Sequence, residues 1–82
     1  MIHDLKIDPI WYGLIQCGFK TWEIRSEEDR RFDVGDHLLL RSWTQDRGYL
    51  AKPPIEVNVR AVARNDVPGL KKGYCVMSIE VV

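Results

Sequence analysis

The sequence predicts a small mixed, mostly antiparallel β-barrel of five to six strands, with one short helix after the first strand. Three observations lead there. The chain has 82 residues, 45% of them apolar, enough for one domain (residues 1–82) with one modest core. Short β-rich segments recur along it, separated by glycine and proline turns. A helical spacing of apolar residues occurs in one place only. So short a chain cannot leave long sheet edges unprotected, so the strands are expected to close on themselves. The helix would plug one end or cover one face.

Taken in order, His3-Asp4-Leu5-Lys6-Ile7 alternates and reads as a strand, Leu5 and Ile7 inward. Asp8 then suits an N-cap and Pro9 the first helical position. Ile10, Trp11, Leu14 and Ile15 make the helical stripe, and Gly18 ends it after about two turns. Thr21 to Arg25 reads as the second strand. Ser26 to Asp33 is a charged loop, and Val34-Gly35-Asp36 a tight turn. His37 to Trp43 is a third strand whose Leu38-Leu39-Leu40 run suggests burial on both faces, or one face in the core and the other under the helix. Thr44 to Gly48 turns it back as a hairpin at Tyr49-Leu50. After Pro53-Pro54, Ile55 to Asn65 is the clearest strand, its odd-numbered face assigned to the core. Pro68-Gly69 and Lys71-Lys72-Gly73 are turns, and Tyr74 to Val82 is the last strand.

Charge and composition exclude several classes of function. Lys plus Arg and Asp plus Glu each number 12, so the formal net charge is zero. Any contact with nucleic acid must then come from a local patch rather than bulk basicity. No apolar run reaches the roughly 20 residues of a membrane helix, and Met-Ile-His-Asp does not read as a signal peptide. Cys17 and Cys75 lie in no paired motif, which points to a reducing, cytoplasmic setting. With His3 and His37 they show no metal-ligand spacing, so neither a metal nor another cofactor is expected.

The segment Gly18-Phe19-Lys20-Thr21-Trp22-Glu23-Ile24-Arg25 carries the chemistry. Strand parity puts Trp22 and Ile24 on one face, assigned to the core, and Glu23 and Arg25 on the other. The carboxylate and guanidinium then stand side by side, about 6.6 Å apart along the backbone. Lys20, at the glycine-led mouth of the strand, can swing toward them. Taken alone, an exposed Glu–Arg pair of this kind is common and worth at most about 1 kcal/mol.

That segment's Gly18-x-Lys20-Thr21-x-Glu23-x-Arg25 pattern resembles the signature of the ASCH domain family, which has a PUA-like barrel. Further blocks extend the resemblance over nearly the whole chain, to a small phage and bacterial branch of unknown function. They are His3-x-Leu5-Lys6-Ile7, Asp29-Arg30-x-Phe32-x-Val34-Gly35-Asp36, the Leu38-to-Trp43 strand, and Gly69-Leu70-x-x-Gly73-Tyr74-x-Val76-x-Ser78-Ile79. The resemblance implies a cleft beside the Lys20-Glu23-Arg25 strand and binding of RNA or a nucleotide. One bacterial group in the family hydrolyses acetylated cytidine with a lysine, a threonine three positions later and a glutamate from a later strand. Lys20 matches that lysine, but Glu23 stands where the threonine would be, which weakens the amidohydrolase expectation. Other members have been proposed as ribonucleases.

The expected ligand-binding residues are therefore Lys20, Glu23 and Arg25, with Lys6, Arg30, Arg41 and Trp43 at the edges. Lys20 or Arg25 would contact phosphate. Glu23 would accept a hydrogen bond from a base or ribose, or orient the cations. Arg30 would clamp the charged loop over the cleft or touch phosphate. Arg41 and Trp43 share a face suited to single-stranded RNA, and a base stacked on Trp43 would gain about 1–3 kcal/mol. Cross-strand packing of Trp43 against Tyr49 is the alternative. If the protein is an enzyme, Lys20 and Glu23 are the catalytic candidates, Lys20 as oxyanion stabiliser or base and Glu23 as proton carrier. A protein-interaction accessory module is a third reading. Trp11, Trp22 and Phe32 are assigned to the core, His3 to the surface with a weak place at the cleft rim, Tyr74 to packing with a hydroxyl presented to the cleft as the alternative, and Cys17 at the helix end to burial or an idle thiol.

Overall fold

In a computed structural model describing residues 1–82, the chain forms six strands and one helix. These are β1 (Ile2–Ile7), α1 (Pro9–Gln16), β2 (Trp22–Ser26), β3 (His37–Thr44), β4 (Gly48–Tyr49), β5 (Ile55–Ala63) and β6 (Tyr74–Val81). The fold is mainly β with a mixed sheet. Its strand order is β1-β3-β5-β6-β2, with β4 paired to β3 as a hairpin. β1 and β3 run parallel, and every other pair is antiparallel. No ladder joins the two ends of the path, β1 and β2. They meet through one side chain, since Arg25 Nη2 on β2 donates to the Lys6 carbonyl on β1 at 2.9 Å.

Local chemistry sets α1. The Asp8 carboxylate accepts from the Ile10 amide at 2.8 Å, satisfying one orphan donor of the first turn, and Pro9 follows it. At the other end, Gly18 takes φ 83°, a left-handed value that favours glycine. The Leu14 carbonyl then accepts from both the Phe19 and Lys20 amides, at 2.9 and 3.1 Å. The backbone leading to Lys20 is thereby fixed rather than loose.

The stripe that α1 buries is Tyr12 and Ile15. Ile10 and Trp11, assigned inward by periodicity, are exposed. An eight-residue helix docks one narrow stripe, and Tyr12 wins the place because its hydroxyl donates to the Pro53 carbonyl at 2.7 Å, so burial leaves no polar atom unpaired.

One core of 13 residues joins α1 to the inner sheet face, with Leu38, Leu40, Val57, Val59, Cys75 and Met77 fully enclosed. Leu39 is only partly buried, so the leucine run is not shielded equally on both faces. The odd-numbered face of β5 is core only as far as Val59. The register with β6 shifts between Val59 and Ala61, so Val62 packs on the core while Ala61 is exposed.

The largest departure from the sequence reading is in β2. Its parity holds but its faces are reversed: Trp22 and Ile24 are exposed, while Glu23 and Lys20 are buried. The reason lies in β6. Cys75 and Met77 point into the core, and β2 pairs Arg25 with Cys75 and Glu23 with Met77. Paired residues share a face, so β2 must turn its charged side inward. Two other assignments change. His3 is buried, because its ring Nε2 donates to Asp36 Oδ2 at 2.8 Å and the ring packs on Phe32 with centroids 4.7 Å apart. Cys17 is exposed at the helix end, whereas Cys75 is the buried thiol, and burial pushes its pKa up.

Two carboxylates lock the loop between β2 and β3. Glu27 accepts from Arg64 Nε at 2.6 Å and Nη2 at 2.9 Å, and from the Phe32 amide at 2.9 Å. The Arg64 hydrogen bond holds the Glu27 pKa below its ordinary 4.5, against the opposing effect of burial. Burial pushes Asp36 up, but hydrogen bonds from His3, the Asp33 amide and the N-terminal ammonium outweigh it, leaving its pKa below the ordinary 3.8. Both folded values lie below the unfolded ones. The stability they supply is therefore complete above the ordinary values and lost as pH falls through the folded ones. Urea midpoints followed from neutral pH to about pH 2 should fall along this acid limb. The Glu27→Gln variant, already less stable at neutral pH, should show a flatter fall; an unchanged slope would remove Glu27 from the account.

Candidate functional site

Between the end of β1, α1 and β2 lies a cleft of about 350 Å³. At its floor the Lys20 ammonium donates to Glu23 Oε1 and to the Trp22 carbonyl, the latter at 2.6 Å. The other carboxylate oxygen, Glu23 Oε2, accepts from Arg25 Nε at 2.7 Å. Side-chain exposure rises from 5% at Lys20 and 6% at Glu23 to 23% at Arg25, so the row runs from the interior to the opening.

Glu23 is the common partner of the two cations. Its position between them offsets like-charge repulsion and makes burial of the Lys20 ammonium tolerable. Arg25 uses Nε on Glu23 and Nη2 on Lys6. A guanidinium has five N–H donors, so three stay free for a ligand near the mouth.

Two indoles form the walls. Trp22 and Trp11 are 44% and 45% exposed, and their ring centroids lie 4.4 and 5.7 Å from the Lys20 ammonium. Each ring thus has one side toward a cation and substantial surface open to solvent. Lys6, Ile7, Asp8 and Ile24 complete the lining. Three cations stand against two carboxylates there, which gives a local positive excess in a protein of zero net charge.

Of the residues expected to bind a ligand, Lys20, Glu23, Arg25 and Lys6 come together in this cleft. Trp43 lines a neighbouring cavity that also includes Lys6. It is the cross-strand partner of Tyr49, as the packing alternative has it. Arg41 does share the outer face with Trp43, but its Nε is bound to both oxygens of Asp4, at 2.8 and 3.0 Å, and it is not part of the cleft lining. Arg30 is absent from that lining too; it stands 4.0 Å from Asp29 in the loop. Arg64 holds that loop instead, donating to Glu27 and to the Phe32 carbonyl.

Sequence reasoning missed Trp11 and Trp22 as site residues. One signal was available: both lie close in sequence to Lys20 and Glu23, on the two elements that flank Gly18. Hydrophobicity outvoted it. No group of three or more His, Cys, Asp or Glu side chains is placed to hold a metal ion, and no helix is long and apolar enough to cross a membrane.

Comparison with known proteins adds the following. Residues 2–79 match the model of a family described as a domain of unknown function (DUF3850). Among solved structures, the crystal structure of the hypothetical protein PH0355 is similar over 100% of both chains, with a TM-score of 0.67 and 16% sequence identity. At that identity the likeness concerns the fold alone. No curated protein matches the chain.

Proposed function

This chain belongs to the DUF3850 family, and from that premise we propose that it binds a nucleotide or single-stranded RNA in the cleft between Trp11, Trp22 and the Lys20-Glu23-Arg25 row. The observation that carries the reading is the pairing of two half-exposed indoles with an ion-paired, largely buried row of charges. A flat base fits against indole surface, and stacking is indifferent to base identity because every base has a π-face. The free guanidinium donors of Arg25 suit a phosphate or a base carbonyl. Glu23 serves mainly to hold both cations in place.

The same reading takes the protein as an ASCH-like domain whose curled sheet is a PUA-like barrel. Its seam between β1 and β2 would be spanned by the Arg25–Lys6 hydrogen bond instead of a backbone ladder. Free thiols at Cys17 and Cys75 fit a reducing, cytoplasmic setting.

One observation favours a second reading. The Lys20 ammonium and the Glu23 carboxylate are in direct contact and nearly buried, an arrangement that could pass a proton to a bound acylated nucleoside attacked by water. Turnover of such a substrate, abolished by Glu23→Gln, would favour it.

The binding reading is tested by titrating ribonucleoside 5′-monophosphates and following tryptophan fluorescence. Saturable quenching is expected. Arg25→Ala should weaken it by about tenfold, the effect of losing one charge-assisted hydrogen bond. Absence of saturable binding, or binding indifferent to Arg25→Ala, contradicts it.

A further inference from the structure

The cleft has a neighbour with which it shares three consecutive residues. A second cavity, of about 420 Å³, is lined by Trp43 and Thr44 at the end of β3, by Gln45 at the start of the turn into β4, and by Lys6, Ile7 and Asp8. Lys6, Ile7 and Asp8 also line the first cleft. The two cavities therefore adjoin at the end of β1.

Lys6 belongs to both cavities through different atoms. Its carbonyl accepts from Arg25 Nη2 at 2.9 Å, on the side of the first cleft. Its ammonium lies over the Trp43 ring, 4.5 Å from the centroid, on the side of the second. That ammonium makes no ion pair and no hydrogen bond within the protein, unlike Lys20, Arg25 and Arg41. It is a solvent-facing cation on a flexible stem, held only by a ring face.

On this basis we propose that the two cavities act as one groove, which has a second subsite at Trp43 and takes two successive nucleotides of a single strand. The first base lies between Trp11 and Trp22, the second against Trp43, and the linking phosphate lies at the Lys6 ammonium. The inference rests on the nucleotide reading of the first cleft and extends it from one nucleotide to two. Lys6 leaves the ring face to meet the phosphate, and the base takes its place on the indole. The exchange replaces a cation–ring contact with a cation–phosphate contact plus stacking. The Thr44 hydroxyl and Gln45 amide provide polar groups at the far wall.

The test uses the full chain, ribonucleoside 5′-monophosphates and the dinucleotides built from them. The dinucleotides should bind about tenfold or more tightly than the monophosphates, as an added stacked base gives. Trp43→Ala should abolish that gain while leaving monophosphate affinity unchanged. Lys6→Met, which keeps the stem and removes the charge, should reduce the dinucleotide's gain in part and lower its salt slope by about one ion. It also keeps the test open if Trp43→Ala fails to fold. Equal affinity for mono- and dinucleotides, or a gain that survives both substitutions, overturns the second subsite while leaving the first-cleft reading intact. Failure of both ligands to bind overturns the first-cleft reading and this inference with it.

Discussion

Replacing Glu23 with alanine is expected to lower folding stability by about 3–5 kcal/mol, the usual result of removing one partner from a buried ion pair. The Lys20 ammonium is left at 5% exposure with only the Trp22 carbonyl and two ring faces, and Arg25 loses its Nε acceptor. For a domain of this size each kcal/mol shifts the melting temperature by about 4–8 °C, so the drop should be at least about 12 °C. The cause can be separated from simple loss of volume. A Lys20→Met, Glu23→Met double variant replaces the pair with apolar groups of similar reach. It should recover much of the loss, because the penalty comes from the unpaired charge. Thermal melts of the three proteins decide the matter: an alanine variant that melts within a degree or two of the parent would mean that Glu23 does not neutralise a buried cation.

Trp22→Ala should give the opposite profile, a small change in stability and a large one in binding. Nearly half of the side chain is exposed, so its removal should cost about 1 kcal/mol of stability, including the contact with Lys20. Loss of a stacked base should cost about 1–3 kcal/mol of binding, or roughly 5- to 150-fold in affinity. Parallel melts and nucleotide titrations check both halves. A variant that binds as well as the parent would show that the indole is exposed for some other reason.

These two residues also mark where the sequence was and was not legible. The start of α1 was readable because Asp8 and Pro9 act within two positions of the groups they affect. Strand existence and order of elements were readable from alternation and turn residues. The direction in which β2 faces was not, because it is dictated by pairing with β6, some fifty residues away. Alternation gives two faces and leaves their sign open, and the preference for burying tryptophan chose the wrong one. Long-range polar partners were hidden for the same reason. His3 is buried by Asp36, 33 positions away, and Glu27 is engaged by Arg64, 37 positions away. The bulge between Val59 and Ala61 likewise depends on a neighbouring strand.

The reversal of β2 strengthens the case for a site at Lys20, Glu23 and Arg25. Had these charges faced solvent, they would have been an ordinary surface pair. Turned inward, they form the floor of a cleft, and the indoles that gave up the core become its walls.

The three tryptophans offer the most direct test of that claim. Their indole N–H groups should give three separate resonances in a nitrogen–proton correlation spectrum, assignable by single substitutions. On titration with a ribonucleoside 5′-monophosphate, the Trp11 and Trp22 signals should move together and saturate, while the Trp43 signal holds still. Saturating movement confined to Trp43, or no saturating movement of any indole, would contradict the account.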